Sequence, residues 1–528
     1  MSGRSLFMEQ TSPSFRKPGN RKHSNPGASG NPDNHRMQRR RDRLPVLLAA
    51  GAAALLLISL VPILAVSFYA HPLVDDFGYS AYVHQAVSGG GSLYDILAAA
   101  LTKVAEVYGS WQGTFAAVFL FTLQPGAFGE NLYFLTTFLL IAALTGATFY
   151  LIDTIAVRLL RCRRAWSVLI SAALLFVEIQ FVPDKKEAFY WYNGAVYYTV
   201  FYALTLVLTA LTIRMFLTSL WRRKVLYCGA ACLLAIAVGG GNYSTALFAA
   251  LLSALVPFAA YVLLRADGRK PHLPRREVVL YCLIPCCLLI SFAVSAAAPG
   301  NAVRGASMEG MPAPKAVIMS VYYAARYAGN WTGMAQASLL CGLTPVLWHL
   351  AGKTEFSFPY PVLTILAAFL CYAAMYTPAL YAMSSVGSGR QIDIYYYTYF
   401  LAVLFSVFYL CGWARHRGLA ALDEGRVTQL PVLWCGAALL AALFISGCAS
   451  CGFSSLTSVD TALALWDGTA AQYDAEYRAA IEQIMAGEPY VEEVQTVPDF
   501  FGTMELYSEY SRTRMAQYYG ADDFEMAQ

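Results

Sequence analysis

Charged residues are scarce in this chain of 528 residues. Only 13% of them are Asp, Glu, Lys or Arg, whereas 58% are hydrophobic. A soluble domain usually carries about 25% charged residues, so this composition argues against an ordinary soluble fold. The apolar residues run for about 18 to 27 positions at a time, which is long enough to cross a hydrocarbon core of about 30 Å. Because lipid cannot satisfy exposed backbone groups, we predict an all-α polytopic membrane protein.

The chain also lacks patterns that would indicate other classes of function. Its twelve Cys residues show no repeated metal-ligand spacing. No clear internal repeat is seen, and the polar residues gather in loops rather than at midspan, which disfavours a transporter built from repeated halves. Residues 1–43 hold ten Lys/Arg against three acids, but the basic run is short and has no interleaved aromatics, so no nucleic acid is expected to bind. We predict a disordered basic cytoplasmic tail there.

Residues 44–450 are predicted to form a transmembrane domain of about 11 helices. The apolar runs lie at 44–69, 131–157, 165–183, 194–219, 225–241, 244–264, 278–298, 331–351, 359–380, 394–413 and 430–450.

The distribution of charge orients these spans. With the N-terminus inside, the inner segments hold 26 of the 37 Lys/Arg, and the outer segments hold 23 of the 33 acids. The positive-inside rule therefore predicts a cytoplasmic N-terminus. An odd number of spans then places residues 451–528 outside. This acidic, Tyr-rich segment is predicted to be a small extracytoplasmic C-terminal cap, either helical or α/β.

Two adjacent carboxylates, Asp75 and Asp76, follow the first span. Neighbouring acids near a membrane repel each other, and their presence is easier to explain if one acts as a base or if the pair binds a divalent cation, Mg²⁺ or Mn²⁺. The alternative is that they cap the following helix, where Asp is favoured. They are the candidate catalytic and metal-binding residues, and no other cofactor is expected.

Cations are rare in the predicted outer loops, so each of them is a candidate ligand for an anion. Arg304 and Arg390 lie in loops rich in small residues, and the Arg side chain offers a planar fork to phosphate. A lipid headgroup contact or a loop ion pair would explain them equally well. Lys185 and Lys186 could hold a phosphate or form an exposed charge cluster. The nearby aromatics, including Trp111 and Trp191, fit either an interfacial belt or the wall of a saccharide site.

Several short motifs together resemble a known family. The chain contains "DDF", "WQG", "FYWYNGAVYY", "GGGNYS", "PGNAVR", "GSGRQ" and "RMAQYYG" in this order. A first span, a double-Asp outer loop and many further spans resemble the GT-C superfamily of membrane glycosyltransferases, which use polyprenyl-phosphate-linked sugars. Within that superfamily the motifs resemble most closely an uncharacterised group of bacterial multi-pass proteins. The resemblance covers roughly residues 60–525, and it departs at Thr114, where the group usually has Arg.

The resemblance implies roles for particular residues. Asp75 and Asp76 would be the base or metal pair, and Arg304 and Arg390 would contact the donor phosphate or the acceptor. The residues that would shape the site are Trp191, Asn193 and Asn301. The expected location is the plasma (inner) membrane of a bacterium.

The leading hypothesis is therefore a glycosyltransferase with a GT-C-like bundle. It would move a sugar from a lipid-linked donor to a glycan or glycolipid of the cell envelope, with membrane lipid around it. The alternatives are a transporter or lipid flippase, or a non-catalytic membrane protein of the envelope. Fold-level similarity alone does not establish the reaction.

Overall fold

The computed structural model describes residues 32–269, 274–418, 430–502, 509–521 and 525–526. The structure is 80% helical. Eight helical segments of the described part are long and apolar enough to cross a membrane. They are Arg43–Tyr69, Glu130–Leu159, Tyr192–Leu217, Tyr243–Ala266, Arg275–Ala296, Met334–Ala351, Pro361–Met383 and Gly389–His416. This confirms the predicted class, an all-α polytopic membrane protein.

Three of the predicted spans coincide with helices outside these eight segments. Residues 165–183 correspond to Arg164–Gln180, which has 17 residues. Residues 225–241 correspond to Trp221–Gly239, whose first turn contains three consecutive cations at 222–224. Residues 430–450 correspond to Leu430–Cys451. The total of eleven spans therefore stays a prediction.

The helices that build the bundle can be named in chain order. They are α1 (Pro32–Val66), α2 (Asp75–Ser88), α3 (Leu93–Ser110), α4 (Phe115–Thr122), α5 (Leu135–Asp153), α6 (Arg164–Gln180), α7 (Tyr192–Ala195), α8 (Phe201–Leu217), α9 (Trp221–Gly239), α10 (Tyr243–Ala266), α11 (Arg275–Ala296), α12 (Pro299–Gly305), α13 (Ala313–Trp331), α14 (Met334–Ala351), α15 (Pro361–Ala374), α16 (Thr377–Met383), α17 (Gly389–His416) and α18 (Leu430–Cys451).

The remaining helices belong to the C-terminal segment, residues 457–502 and 509–521. They are α19 (Thr457–Trp466), α20 (Thr469–Met485) and α21 (Glu509–Tyr519). The strands of the described residues, β1 (Tyr490–Val491) and β2 (Glu525–Met526), form one short parallel pair. The helical periodicity of residues 459–486 predicts one helix, whereas the structure has two over this range, α19 and α20, separated at residues 467–468.

Apolar side chains cover the outside of the bundle as well as its core. On α1, Leu47, Leu57 and Ile58 are exposed, while Ile63 and Val66 are fully buried against the neighbouring helices. An outward stripe of large aliphatic residues is unfavourable in water but matches lipid tails. Helix α1 packs on α6, and α9 packs between α8 and α11.

The N-terminal part of the first helix differs from the sequence prediction. Helix α1 begins at Pro32, inside the segment predicted to be a disordered tail. The rest of that prediction, residues 1–31, lies outside the described residues.

The C-terminal segment docks on the first interhelical loop, far away in sequence. The His71 ring stacks on Tyr477 with centroids 4.1 Å apart, and its Nε2 lies 2.8 Å from Asp474 Oδ1. The Tyr518 hydroxyl donates to the carbonyl of Gly126 at 3.1 Å. Helix α21 therefore packs beside α2, which carries the predicted carboxylates.

Candidate functional site

Five of the predicted site residues line one cavity of about 430 Å³. It lies where the segments between the long helices meet. These five are Asp75, Trp111, Asn193, Arg304 and Arg390. They come from five segments spread over more than 300 positions, so the fold rather than the local sequence brings them together. The cavity also contains charged residues that sequence reasoning missed, namely Lys103, Glu106 and Arg514.

The two adjacent carboxylates have different environments. Asp75 is half-buried and lines the cavity. Asp76 is fully buried, and its Oδ2 accepts hydrogen bonds from the Tyr133 hydroxyl at 2.6 Å and the Leu73 N–H at 2.9 Å. Its Oδ1 accepts from the Asn193 N–H at 3.0 Å. Successive residues of a helix point about 100° apart, so only one of the pair can face the cavity.

The environment of Asp76 has an electrostatic cost. Burial raises the pKa of Asp76 to about 7, although the hydrogen bonds from Tyr133, Leu73 and Asn193 oppose that rise. The Tyr133 hydroxyl also lies 3.3 Å from the carbonyl oxygen of Tyr190, and it can donate there when the carboxyl is protonated. Asp76 therefore has hydrogen-bond partners in both protonation states.

The divalent cation expected at the Asp pair finds limited support in this geometry. Both oxygens of Asp76 already accept hydrogen bonds from the protein, which leaves Asp75 as the only carboxylate of the pair that faces the cavity. Among the described residues, no group of three or more His, Cys, Asp or Glu side chains could hold a metal ion. The cation stays a prediction.

The "FYWYNG" motif presents two buried polar groups without a partner among the described residues. Trp191 is extended between a π-helical turn, Lys186–Tyr190, and α7. Its indole Nε1 and both amide atoms of Asn193 have no hydrogen-bond partner in the described structure, and Asn193 is only 3% exposed. Buried polar atoms normally have partners. Because Asn193 also lines the cavity, its amide is a candidate ligand-binding group.

The "GSGRQ" motif fixes Arg390 at the start of α17. Ser388 and Gln391 form a capping box, and the Arg390 N–H donates to Glu187 Oε2 at 2.6 Å. These bonds satisfy backbone donors at the helix start that would otherwise lack a partner. The guanidinium carbon lies 4.7 Å from the centroid of the Trp191 ring, a cation–π contact. Arg390 is thereby held at the cavity wall.

The "WQG" and "PGNAVR" motifs hold Arg304 and Trp111 together. The Arg304 Nη1 donates to Gln112 Oε1 at 2.5 Å, and its guanidinium carbon lies 5.4 Å from the centroid of the Trp111 ring. Asn301 does not line this cavity. It accepts from the Gly113 N–H at 3.0 Å and donates to the Ser295 carbonyl at 2.8 Å. Asn301 therefore joins the two motifs, and it lines the adjoining second cavity rather than this one.

We expect Gly113→Ala to destabilise the protein by about 1–3 kcal/mol or more, because overpacking at a closed contact forces the backbone to shift. A Cβ at Gly113 would collide with the carbonyl oxygen of Ser295. Gly109→Ala is a matched control, since a Cβ there meets nothing within 4 Å. Thermal unfolding of the purified variants would measure the difference, and equal midpoints for both variants would contradict the close approach of these motifs.

The two predicted lysines lie elsewhere. Lys185 forms an ion pair with Asp460 Oδ2 at 2.7 Å and donates to the carbonyl of Ser454 at 2.9 Å. Neither Lys185 nor Lys186 lines the cavity. The structure therefore does not bring them together with the two arginines. Lys185 instead joins the "FYWYNG" segment to the C-terminal segment.

A second cavity of about 890 Å³ adjoins the first. Both are lined by Gln112, Tyr197 and Arg304. Its other walls include the apolar side chains of Phe292, Met308, Met311 and Ala379. Thr114, at the position where the resembling group usually has Arg, also faces this second cavity. The two cavities together present a charged end and a longer, more apolar end.

Comparisons with protein-family models, with curated proteins and with solved structures found no match.

Proposed function

We propose that the protein is a glycosyltransferase that uses a polyprenyl-phosphate-linked sugar on the outer face of the membrane. The acceptor is a hydroxyl of an envelope glycan or lipid. One observation carries the proposal: a half-buried carboxylate, Asp75, shares a cavity with Arg304 and Arg390. Among the described residues, no carboxylate lies within ion-pair distance of either guanidinium. The cavity therefore combines a base with cations that are available to an anionic leaving group.

The donor phosphate is assigned to Arg304 and Arg390. Both arginines line the same cavity, together with Tyr197. The Nε of Arg390 is buried and has no partner among the described residues. Charge-assisted hydrogen bonds to phosphate are among the strongest that a protein can make. The unpartnered amide of Asn193 is the group proposed to bind a sugar hydroxyl.

The lipid chain of the donor is assigned to the second cavity. This cavity begins at Arg304 and continues between α10, α11 and α16, with largely apolar walls. A polyprenyl tail needs such an apolar path next to its phosphate, whereas a water-soluble sugar nucleotide does not. The continuity of the two cavities thus supports a lipid-linked donor. The resembling group usually has Arg at the position of Thr114, and Arg304, which lines both cavities, partly replaces that cation.

The proposed reaction is a direct displacement. The Asp75 carboxylate accepts the proton of the acceptor hydroxyl. At the same time the oxygen of that hydroxyl attacks the anomeric carbon of the donor sugar. The bond between that carbon and the phosphate oxygen breaks, and its electron pair leaves with polyprenyl phosphate. Arg304 and Arg390 stabilise the charge that develops on the leaving phosphate. Attack opposite the leaving group inverts the anomeric centre.

Asp76 is assigned a positioning role. Its Oδ1 holds the backbone of Asn193, and its Oδ2 holds Leu73 at the entry to α2. Through these bonds Asp76 fixes both α2, which carries Asp75, and the "FYWYNG" motif, which carries Asn193.

The finer features of the fold belong to the same proposal. They are a GT-C-like bundle of about eleven spans, a cytoplasmic N-terminus and an extracytoplasmic C-terminal cap at the plasma membrane of a bacterium. Except for Tyr197, which lies in the predicted span 194–219, the described cavity residues come from segments that the positive-inside rule places outside, which supports this orientation.

The proposal is tested by reconstituting the full chain in liposomes with a panel of polyprenyl-phosphate-linked sugars and a membrane extract as acceptor. We expect release of free polyprenyl phosphate and incorporation of sugar into the extract. Arg304→Gln and Arg390→Gln should each lower the rate by about 10²–10³-fold, the range found when one donor to a developing negative charge is removed.

Arg326→Gln is the matched control, because Arg326 is exposed on α13 and lines neither cavity. Equal rates for the three variants would contradict the assignment of the donor phosphate. Movement of labelled donor across the bilayer without cleavage of its phosphate bond would instead identify a flippase.

A further inference from the structure

The cavity contains a third guanidinium that the proposed transfer does not use. Arg514 lies on α21, in the C-terminal segment, and it lines the same cavity as Asp75. Its Nη1 donates to Gln517 Oε1 at 3.1 Å, and its guanidinium carbon lies 5.2 Å from the centroid of the Tyr510 ring. Among the described residues, no carboxylate lies within ion-pair distance of Arg514.

Arg514 lies beside the proposed base. A Cβ at Gly78 would stand 3.4 Å from Arg514 Cδ, so the stem of the arginine crosses α2 one turn after Asp75. Tyr510 lines the same cavity, and the guanidinium of Arg514 lies over its ring. Asp75, Tyr510 and Arg514 therefore form part of one cavity wall.

The three arginines of the cavity come from different segments. Arg304 and Arg390 are assigned to the donor phosphate, whereas Arg514 belongs to the C-terminal segment and lies over the ring of Tyr510. Lys103 is also on the wall, but its Nζ pairs with Glu106 Oε1 at 3.0 Å. Lys103 is thus paired with a carboxylate of its own helix, whereas Arg514 crosses α2 one turn after the base.

We propose that Arg514 selects an acceptor that carries a negative charge close to the hydroxyl that is attacked. This rests on the proposed function and names its acceptor class: a saccharide bearing a carboxylate or a phosphate. A hydroxyl that reaches Asp75 places the neighbouring substituents of its ring within reach of Arg514. A neutral acceptor would leave this half-buried guanidinium with only its contacts to Gln517 and Tyr510 and no negative charge.

The test measures binding rather than turnover. The full chain in nanodiscs is first saturated with polyprenyl phosphate, so that Arg304 and Arg390 are occupied. Binding of methyl glucuronide, glucose 6-phosphate and neutral methyl glucoside is then measured by titration. We expect at least one of the two anionic sugars to bind about tenfold more tightly than the neutral one, which corresponds to one charge-assisted hydrogen bond. Which of the two binds more tightly distinguishes a carboxylate from a phosphate.

Arg514→Gln should remove this preference without weakening polyprenyl phosphate binding, and Arg514→Lys should restore part of it. Arg478→Gln is the matched control, since Arg478 is exposed on α20 of the same segment and is not on the cavity wall. The proposal is overturned if the neutral sugar binds as tightly as both anionic sugars, or if Arg514→Gln keeps the preference. If the wild-type protein prefers the anionic sugars but transfers no sugar, only the proposed function is contradicted.

Discussion

Asp75→Asn is expected to lower the rate of sugar transfer by about 10²–10⁴-fold, the contribution typical of a general base. The amide has nearly the same shape as the carboxylate but cannot accept the proton of the acceptor hydroxyl. Binding of polyprenyl phosphate should change little, because that ligand is assigned to Arg304 and Arg390. The measurement is the initial rate of polyprenyl phosphate release from reconstituted protein, with donor and acceptor at saturating concentrations.

A suitable control is Asp499→Asn, which removes an exposed carboxylate from the C-terminal segment without touching the cavity. The control should keep the full rate. If Asp75→Asn keeps more than a tenth of the rate while it folds normally, Asp75 is not the base, and the mechanism proposed above fails.

Asp76→Ala is expected to have the largest effect on stability. It would leave the buried N–H groups of Leu73 and Asn193 without an acceptor, and the Tyr133 hydroxyl would keep only the carbonyl of Tyr190 at 3.3 Å. Each unsatisfied group costs about 1–3 kcal/mol, so we expect a loss of several kcal/mol. Unfolding by added denaturing detergent would measure the loss. A variant as stable as the wild type would show that these bonds do not hold the entry to α2.

The pH dependence of stability gives a second test of Asp76. Its pKa is raised from 3.8 to about 7 in the folded protein. Between these values the folded state binds more protons than the unfolded state, so stability should fall as the pH rises from about 4 to about 7 and then level off. The effect of this one group should be on the order of a few kcal/mol. Asp76→Asn, which does not titrate, should have a flatter profile across this window, and an unchanged profile would refute the raised pKa.

The class of the fold was accessible from the sequence because it depends on local composition. Runs of apolar residues long enough for the membrane predicted the long helices, and periodicity predicted the helices of the C-terminal segment. The exact number of spans was harder to predict. In α9, three cations in the first turn shorten the apolar stretch, so composition alone does not settle whether that helix crosses.

The site was partly predictable for a different reason. Motifs identified Asp75, Arg304 and Arg390 as unusual residues of outer loops, and the fold places them around one cavity. The sequence could not decide which of the two adjacent acids faces that cavity, because this depends on how α2 is rotated against Tyr133. Arg514 opens the "RMAQYYG" motif, but the sequence could not show that it reaches the cavity, since its place beside Gly78 depends on contacts between segments more than 400 positions apart.

The docking of α21 has a consequence for biosynthesis. The residues that complete the cavity wall, Tyr510 and Arg514, are translated after all the long apolar helices. The bundle can therefore be inserted while its cavity is still open on this side, and the site becomes whole only after the ribosome has made the C-terminal segment. Nascent chains stalled before this segment should reach the membrane without a finished pocket, which would keep incomplete molecules from acting on lipid.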